Sequence, residues 1–221
     1  MAMILLTGGA TRNPIDATRY VSAGASGETA ILLGNILGRT HLVRMLGSAE
    51  ANLRARLAGW GVPGDTRQFL PFGSTRDLEA LMRAQTPLAD VVVHSAAVGD
   101  YEAPPLLTKI PSQRPELVVR MTPAPKILDQ IRAWAPHAFL ASFKAGSPEW
   151  TAEELEGIAR AQLVRTDSNV VFANLLGQLE SSCMLVQRES AQRYATRAEA
   201  VSALGELLDA AAAQADIRLG H

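Results

Sequence analysis

One cysteine, Cys183, stands in 221 residues. No internal disulfide framework holds this chain, and the scarcity of thiols fits a reducing compartment. Cys183 lies in the apolar run Cys183-Met184-Leu185-Val186, where buried packing is a stronger reading than a reactive thiol. No apolar run approaches the roughly 18 residues that a membrane span needs. The start lacks a basic segment followed by a cleavage site, so Met3 to Leu6 reads as a first strand and the expected location is cytoplasmic. Charge of one sign is missing too. With 21 Lys and Arg against 22 Asp and Glu, the net charge is −1, which gives no footprint for nucleic acid or an anionic membrane. Two nucleotide fingerprints are also absent, since no G-x-G-x-x-G follows the first strand and no G-x-x-x-x-G-K-[ST] occurs. No Ser-His-Asp or Cys-His arrangement is defensible, and no metal site built by the protein is expected.

What is present is the composition of a soluble globular domain, 48% hydrophobic and 19% charged, long enough for one α/β domain over residues 1–221. Strand-length apolar runs alternate with helical patterns. The expected strands are Ile4–Thr7, His41–Leu46, Gln68–Pro71, Val91–His94, Phe139–Phe143 and Val170–Ala173. The expected helices are Glu28–Gly38, Ala49–Ala58, Thr75–Gln85, Pro125–Trp134, Thr151–Leu163 and Thr196–Gln214. Continuous runs such as Val91-Val92-Val93 suit strands covered on both faces. The alternation predicts a doubly wound, Rossmann-like, mostly parallel sheet with helices on both faces. Two stretches break the rhythm. Ala103 to Pro115 carries four of the twelve prolines and reads as a loop. Ser181 to Tyr194 reads as a C-terminal antiparallel hairpin about Glu189-Ser190.

The first thirty residues are the most informative. An apolar run ends at Thr7-Gly8-Gly9, a polar stretch closes on Ala25-Ser26-Gly27, and an amphipathic segment follows from Glu28. This suggests a strand and a helix start that deliver backbone N–H groups to an anion. Thr11, Arg12, Asp16 and Arg19 lie between the two glycine clusters, an insertion longer than a short βα turn requires. The fourth strand ends in His94-Ser95-Ala96-Ala97-Val98-Gly99-Asp100-Tyr101. Small residues there admit a ligand to the backbone and Asp100 offers an acceptor, or Asp100 simply caps a turn. His94 alternates into the sheet, where a packed, hydrogen-bonded core histidine is a stronger reading than a base. Lys109, in the proline-rich loop, is either solvated surface or a lid cation over polyphosphate. Phe143 and Lys144 end the fifth strand and Asn174 the sixth, offering an aromatic face, a cation and an amide at one sheet edge.

The opening TGGATRNPID…RYVS…SG, the strand end AAVGDY, the loop TKIPS and the later segments MTPAPKIL, WAPHAFLASFK and VVFANLL together resemble phosphopantothenate–cysteine ligase (phosphopantothenoylcysteine synthetase), in order and over nearly the whole chain. SFK, KIPS and ANLL look like the eukaryotic, ATP-using branch more than the bacterial, CTP-using one. The resemblance implies a dimer that activates the carboxylate of 4′-phosphopantothenate with ATP, or alternatively CTP, and Mg²⁺, then couples it to cysteine in coenzyme A biosynthesis. It implies that Gly8, Gly9, Ser26 and Gly27 line the triphosphate, with Phe143, Lys144 and Asn174 completing the nucleotide site. It further implies that Ala96, Ala97, Asp100 and Arg19 contact phosphopantothenate, the first three from the partner subunit, and that Lys109 and Asp100 serve the chemistry.

The chain departs from that pattern at defined places. Ala23 stands where the family has an asparagine, Ala25 where a phosphate-contacting serine is usual, and Ala30 where a glycine is usual. Glu28-Thr29 replaces a basic or polar pair, and Ala145-Gly146 replaces an acidic residue and a threonine. Each lost charge-assisted contact costs about 1.5–3 kcal/mol, with Arg12 and Arg19 as candidates for compensation. Two further readings therefore stand beside the family activity: a relative acting on another carboxylate, and a nucleotide-binding module without turnover. A nicotinamide-dependent reductase fits poorly, because Tyr20, Tyr101 and Tyr194 lack a lysine four residues on and Met45-Leu46-Gly47 ends the second strand without an acid.

Overall fold

The computed structural model describes residues 1–113, 115–178 and 180–219. Its frame is an eight-stranded sheet. Six parallel strands come first: β1 (Met3–Gly8), β4 (Leu42–Gly47), β5 (Arg67–Pro71), β6 (Val91–His94), β9 (Phe139–Gly146) and β10 (Val170–Leu175). The expected hairpin follows as β11 (Cys183–Val186) and β12 (Ala191–Tyr194), antiparallel to each other, with β11 antiparallel to β10. The sheet order is β12-β11-β10-β9-β6-β1-β4-β5. Counting only the parallel strands, that order is 3-2-1-4-5-6, which reverses between β1 and β6 and opens a crevice at their carboxyl ends.

The strands read as apolar runs because both faces are covered. Ile4 and Leu6 of β1 pack with α1 (Glu28–Leu37), α2 (Ala49–Leu57) and α6 (Arg197–Leu219). Leu5, between them, faces α3 (Thr75–Gln85) and α4 (Ile127–Trp134). α5 (Ala152–Thr166) covers Val171, Ala173 and Leu175 on that second side. Local signals mark the helix starts. Ser74 and Asp77 form a reciprocal capping box on α3, as do Thr151 and Glu154 on α5, each satisfying two orphan donors.

Two small ribbons were not expected. The insertion after β1 folds as β2 (Arg12–Pro14) against β3 (Tyr20–Ser22), and β7 (Tyr101–Glu102) pairs with β8 (Thr122–Pro123). Both ribbons are too short and too polar to show a period. They are held from outside instead, since Asn13 Nδ2 donates to the Tyr101 carbonyl at 2.8 Å and Asn13 Oδ1 accepts the Thr75 N–H at 2.9 Å.

Candidate functional site

A cavity of about 330 Å³ lies at the carboxyl ends of β6 and β9, one strand away from the reversal of strand order. Its walls come from four parts of the chain. The β6 end supplies His94, Ala96, Gly99 and Asp100, the α4 start Lys126, Ile127 and Asp129, β9 Phe143 and Lys144, and α5 Gln162 and Arg165. A larger hollow of about 530 Å³ lies at the start of β5, but its Asp65 and Arg67 are already paired with each other.

Charges in the cavity are arranged in pairs. Lys126 holds Asp100 in a short, solvent-facing ion pair, and Arg165 holds Asp129. Lys144 is half-buried and makes no salt bridge among the described residues. Gln162 is fixed by a buried network in which its Nε2 donates to Ser142 Oγ at 3.0 Å and to the Phe143 carbonyl at 3.2 Å. Ser168 donates to the same Ser142 hydroxyl. His94 is 6% exposed, and burial pushes its pKa down to about 4, so the ring is uncharged at neutral pH. The packed reading of His94 therefore holds in part, because the ring is buried and bonded to Thr7 yet still forms cavity wall.

The expected residues fall into three groups. Ala96, Asp100, Phe143 and Lys144 are brought together in the cavity wall, with Ala97 beside them in a bridge to Ala10. The Phe143 ring has one face occupied, since it stacks on Phe172 at 4.8 Å.

The second group is the glycine clusters, which pack on each other. Gly9 and Gly27 have φ of 87° and 81°, and a Cβ on Gly27 would lie 2.9 Å from the Gly9 nitrogen. The close approach these glycines permit is first of all to the chain itself, because a Cβ on Gly8 would lie 2.7 Å from the Ala30 Cβ and one on Gly9 only 2.0 Å from the Ser48 Oγ. Ser26 reaches the Glu28 N–H at 3.4 Å, at the foot of α1.

Three residues stand apart. Asn174 is buried on β10 in register with Ala145 and Cys183 and forms no part of the cavity wall. Arg19 is committed to Asp16 at 2.8 Å and to the Ile110 carbonyl at 3.3 Å. Lys109 is exposed and outside the wall, next to an Ile110 that Asp16 holds by its N–H at 3.0 Å.

Four groups escape a reading of the sequence. Lys126, Gln162 and Arg165 sit on helices where polar residues ordinarily face water, so no periodicity marks them. Arg197 supplies a cation at the first turn of α1. Its guanidinium lies 5.3 Å from the Phe172 ring, Nη2 donates to Thr29 Oγ1 at 2.7 Å, and Nη1 is buried with no partner among the described residues. Burial pushes the neighbouring Cys183 thiol up, as expected for packing.

Comparison with known proteins agrees with the fold. A curated relative from Thermococcus kodakarensis, the coenzyme A biosynthesis bifunctional protein CoaBC, is 32% identical over 196 residues, 86% of this chain and 46% of its own. The CoaBC of Escherichia coli is 25% identical over 180 residues, 79% of this chain and 41% of its own. The chain thus spans about half the length of the curated relatives it matches. Among solved structures, the DNA/pantothenate metabolism flavoprotein from Streptococcus pneumoniae superposes with a TM-score of 0.84 at 22% identity, covering 95% of this chain and 99% of that one. A Cab2 variant in complex with phosphopantothenate-cysteine superposes with a TM-score of 0.74 at 19% identity, covering 95% and 88%. The family model of the DNA/pantothenate metabolism flavoprotein C-terminal domain matches residues 1–215, and the chain belongs to that family.

Proposed function

We propose that this protein is a nucleotide-dependent ligase that couples 4′-phosphopantothenate to cysteine. The observation that carries the reading is the cavity at the carboxyl ends of β6 and β9, where Asp100, Lys126, Lys144 and Gln162 converge in a chain of this family. A carboxylate is a poor acyl donor because its leaving group is oxide. Attack of a carboxylate oxygen on the α-phosphorus of ATP, or of CTP, expels pyrophosphate and leaves a mixed anhydride. The cysteine amine then attacks the acyl carbon, the nucleoside monophosphate departs, and the amine's proton passes to solvent. Neither step needs a protein nucleophile, so the protein's work is alignment and stabilisation of spreading negative charge.

Lys144 and Arg197 supply cations on either side of the crevice, and Lys126 holds the Asp100 carboxylate at its mouth. Mg²⁺ enters with the triphosphate as part of the substrate. It would take most of its ligands from phosphate and water. Lys109 acts as the lid cation, swinging in from the loop that Asp16 anchors at Ile110. The active form is a homodimer working in the cytoplasm. The exposed Tyr20, Val21 and Tyr101 beside the ribbon support association.

Pyrophosphate release is the test, measured with ATP or CTP, 4′-phosphopantothenate and Mg²⁺, with and without cysteine. Release that requires phosphopantothenate and rises with cysteine is expected. Nucleotide binding without release would overturn the reading. Ala23, exposed on the return from β3 where the family has an asparagine, favours one second reading, a carboxylate other than phosphopantothenate. The same assay over a panel of carboxylates separates the two.

A further inference from the structure

The group this cavity adds to what the sequence pattern implies is His94. It ends β6 in register with Thr7 of β1 and Ser142 of β9. Thr7 is fully buried, and its hydroxyl oxygen accepts the Ala96 N–H at 3.0 Å while lying 3.1 Å from His94 Nδ1. A threonine hydroxyl has one proton to give. The nearby Ser95 hydroxyl turns its own proton to the Thr7 carbonyl at 2.5 Å, and among the described residues the acceptor within hydrogen-bond reach of the Thr7 hydroxyl is His94 Nδ1. If Nδ1 carried a hydrogen, the Thr7 proton would be buried with nothing to accept it, which protein interiors avoid. The Thr7 hydroxyl therefore donates to Nδ1, and the ring hydrogen sits on Nε2. Among the described residues no protein group pairs with Nε2, although the ring forms cavity wall.

We propose that His94 presents its Nε2–H as an uncharged hydrogen-bond donor to an oxygen of the nucleotide bound in this cavity. The inference rests on the ligase reading for the identity of the ligand, and on the Thr7 geometry for the tautomer. The charged groups facing the same space are Asp100 from the β6 end, Lys126 and Asp129 from α4, Lys144 from β9 and Arg165 from α5. Four of these five are consumed in the Asp100–Lys126 and Asp129–Arg165 pairs. Burial is thus the dominant influence on the ring, and it keeps the ring neutral. His94 is a donor and not a base, because the ring nitrogen without a protein partner among the described residues already holds a proton.

The experiment has two parts. In ¹⁵N-labelled protein without ligand, the imidazole spectrum of His94 is expected to show the Nε2–H tautomer, unchanged from pH 8 to pH 5.5. An Nδ1–H tautomer, or an imidazolium in that range, overturns the inference. ATP, CTP and 4′-phosphopantothenate are then titrated separately into wild type, His94→Leu and His94→Gln by calorimetry. Leucine removes the donor, whereas the glutamine amide keeps an N–H at similar reach. Nucleotide affinity is expected to fall on the order of tenfold in His94→Leu and to stay within about threefold in His94→Gln, with phosphopantothenate unaffected in both. Equal losses in the two variants, no loss in His94→Leu, or a loss confined to phosphopantothenate overturns it. Wild type that binds neither ATP nor CTP overturns the ligase reading and the nucleotide assignment together, a result the spectrum distinguishes from a wrong tautomer.

Discussion

His94 and Asp100 sit six residues apart on one strand end, and their surroundings give them opposite electrostatic lives. Folding lowers the pKa of His94 to about 4 by burial, so between that value and the ordinary imidazole range near 6.5 the unfolded chain binds the extra proton and stability rises with pH. The contribution is fully present above the unfolded pKa and is lost as pH falls toward 4. From pH 7 to pH 4.5 the loss from this one residue amounts to about 2.5 kcal/mol. Urea unfolding at the two pH values should therefore show wild type losing about that much more than His94→Gln, which has nothing to titrate there. Equal acid sensitivity would mean that the ring is hydrated. Asp100 is exposed and paired with Lys126, a pair of little worth to stability. Asp100→Asn should leave the melting temperature unchanged within about 1 °C while lowering kcat/KM for pyrophosphate release about a hundredfold. A variant with full activity would remove Asp100 from the chemistry.

At the scale of elements, the β2–β3 ribbon and the proline-rich loop behave as one unit because of Asp16. Its carboxylate accepts the N–H groups of Thr18 and Arg19 at 2.8 Å each and that of Ile110 at 3.0 Å, and it pairs with Arg19. These donors, led by the Ile110 N–H, hold its carboxyl well below the usual carboxylate range. The attachment therefore persists through ordinary acid conditions. Asp16→Ala should release the loop, seen as amide exchange at Ile110 faster by at least about tenfold, with a raised KM and a core of unchanged protection. Unchanged exchange at Ile110 would mean that the loop is held by something else.

The same unit shows where reading a sequence stops. The six parallel strands were legible because burial on both faces writes an uninterrupted run such as Val91-Val92-Val93, and the hairpin because the turn at Glu189-Ser190 follows the apolar run Cys183–Val186. The ribbons were not legible, since Arg12–Pro14 and Tyr20–Ser22 owe their shape to Asn13 and Asp16 bonding partners about sixty to ninety residues away. At the site, the strand-end residues Ala96, Asp100 and Lys144 could be named from their place after an apolar run. Gln162, Arg165 and Arg197 could not, because only the packing of α5 and α6 against the sheet turns these helix positions inward. Asn174 and Arg19 lie outside the cavity wall, Asn174 buried on β10 and Arg19 paired with Asp16, placements that local pattern does not reveal.

For the molecule as a whole, the cavity lies at the carboxyl ends of β6 and β9, and the ribbon follows the carboxyl end of β1 at the same end of the sheet. β3 pairs only with β2 in its two-stranded sheet, so among the described residues its other edge offers unpaired N–H and C=O groups. Tyr20 and Val21 stand on that strand, 50% and 41% exposed, with Tyr101 nearby at 56%. An open edge with apolar side chains is a template for another chain, and a second copy meeting there would carry its own strand ends toward this crevice. The isolated protein should therefore sediment at twice the 23.6 kDa of one chain. Val21→Asp, which places a charge on the open strand, should shift the population to single chains and lower pyrophosphate release with it, since a site shared between copies fails when they part. Leu53→Asp is the matched control, because Leu53 is 59% exposed on α2, an element outside the ribbon, and should change neither mass nor rate. A wild type that sediments as one chain, or dissociation by Leu53→Asp rather than Val21→Asp, would move the contact away from the ribbon and make the cavity complete within a single copy.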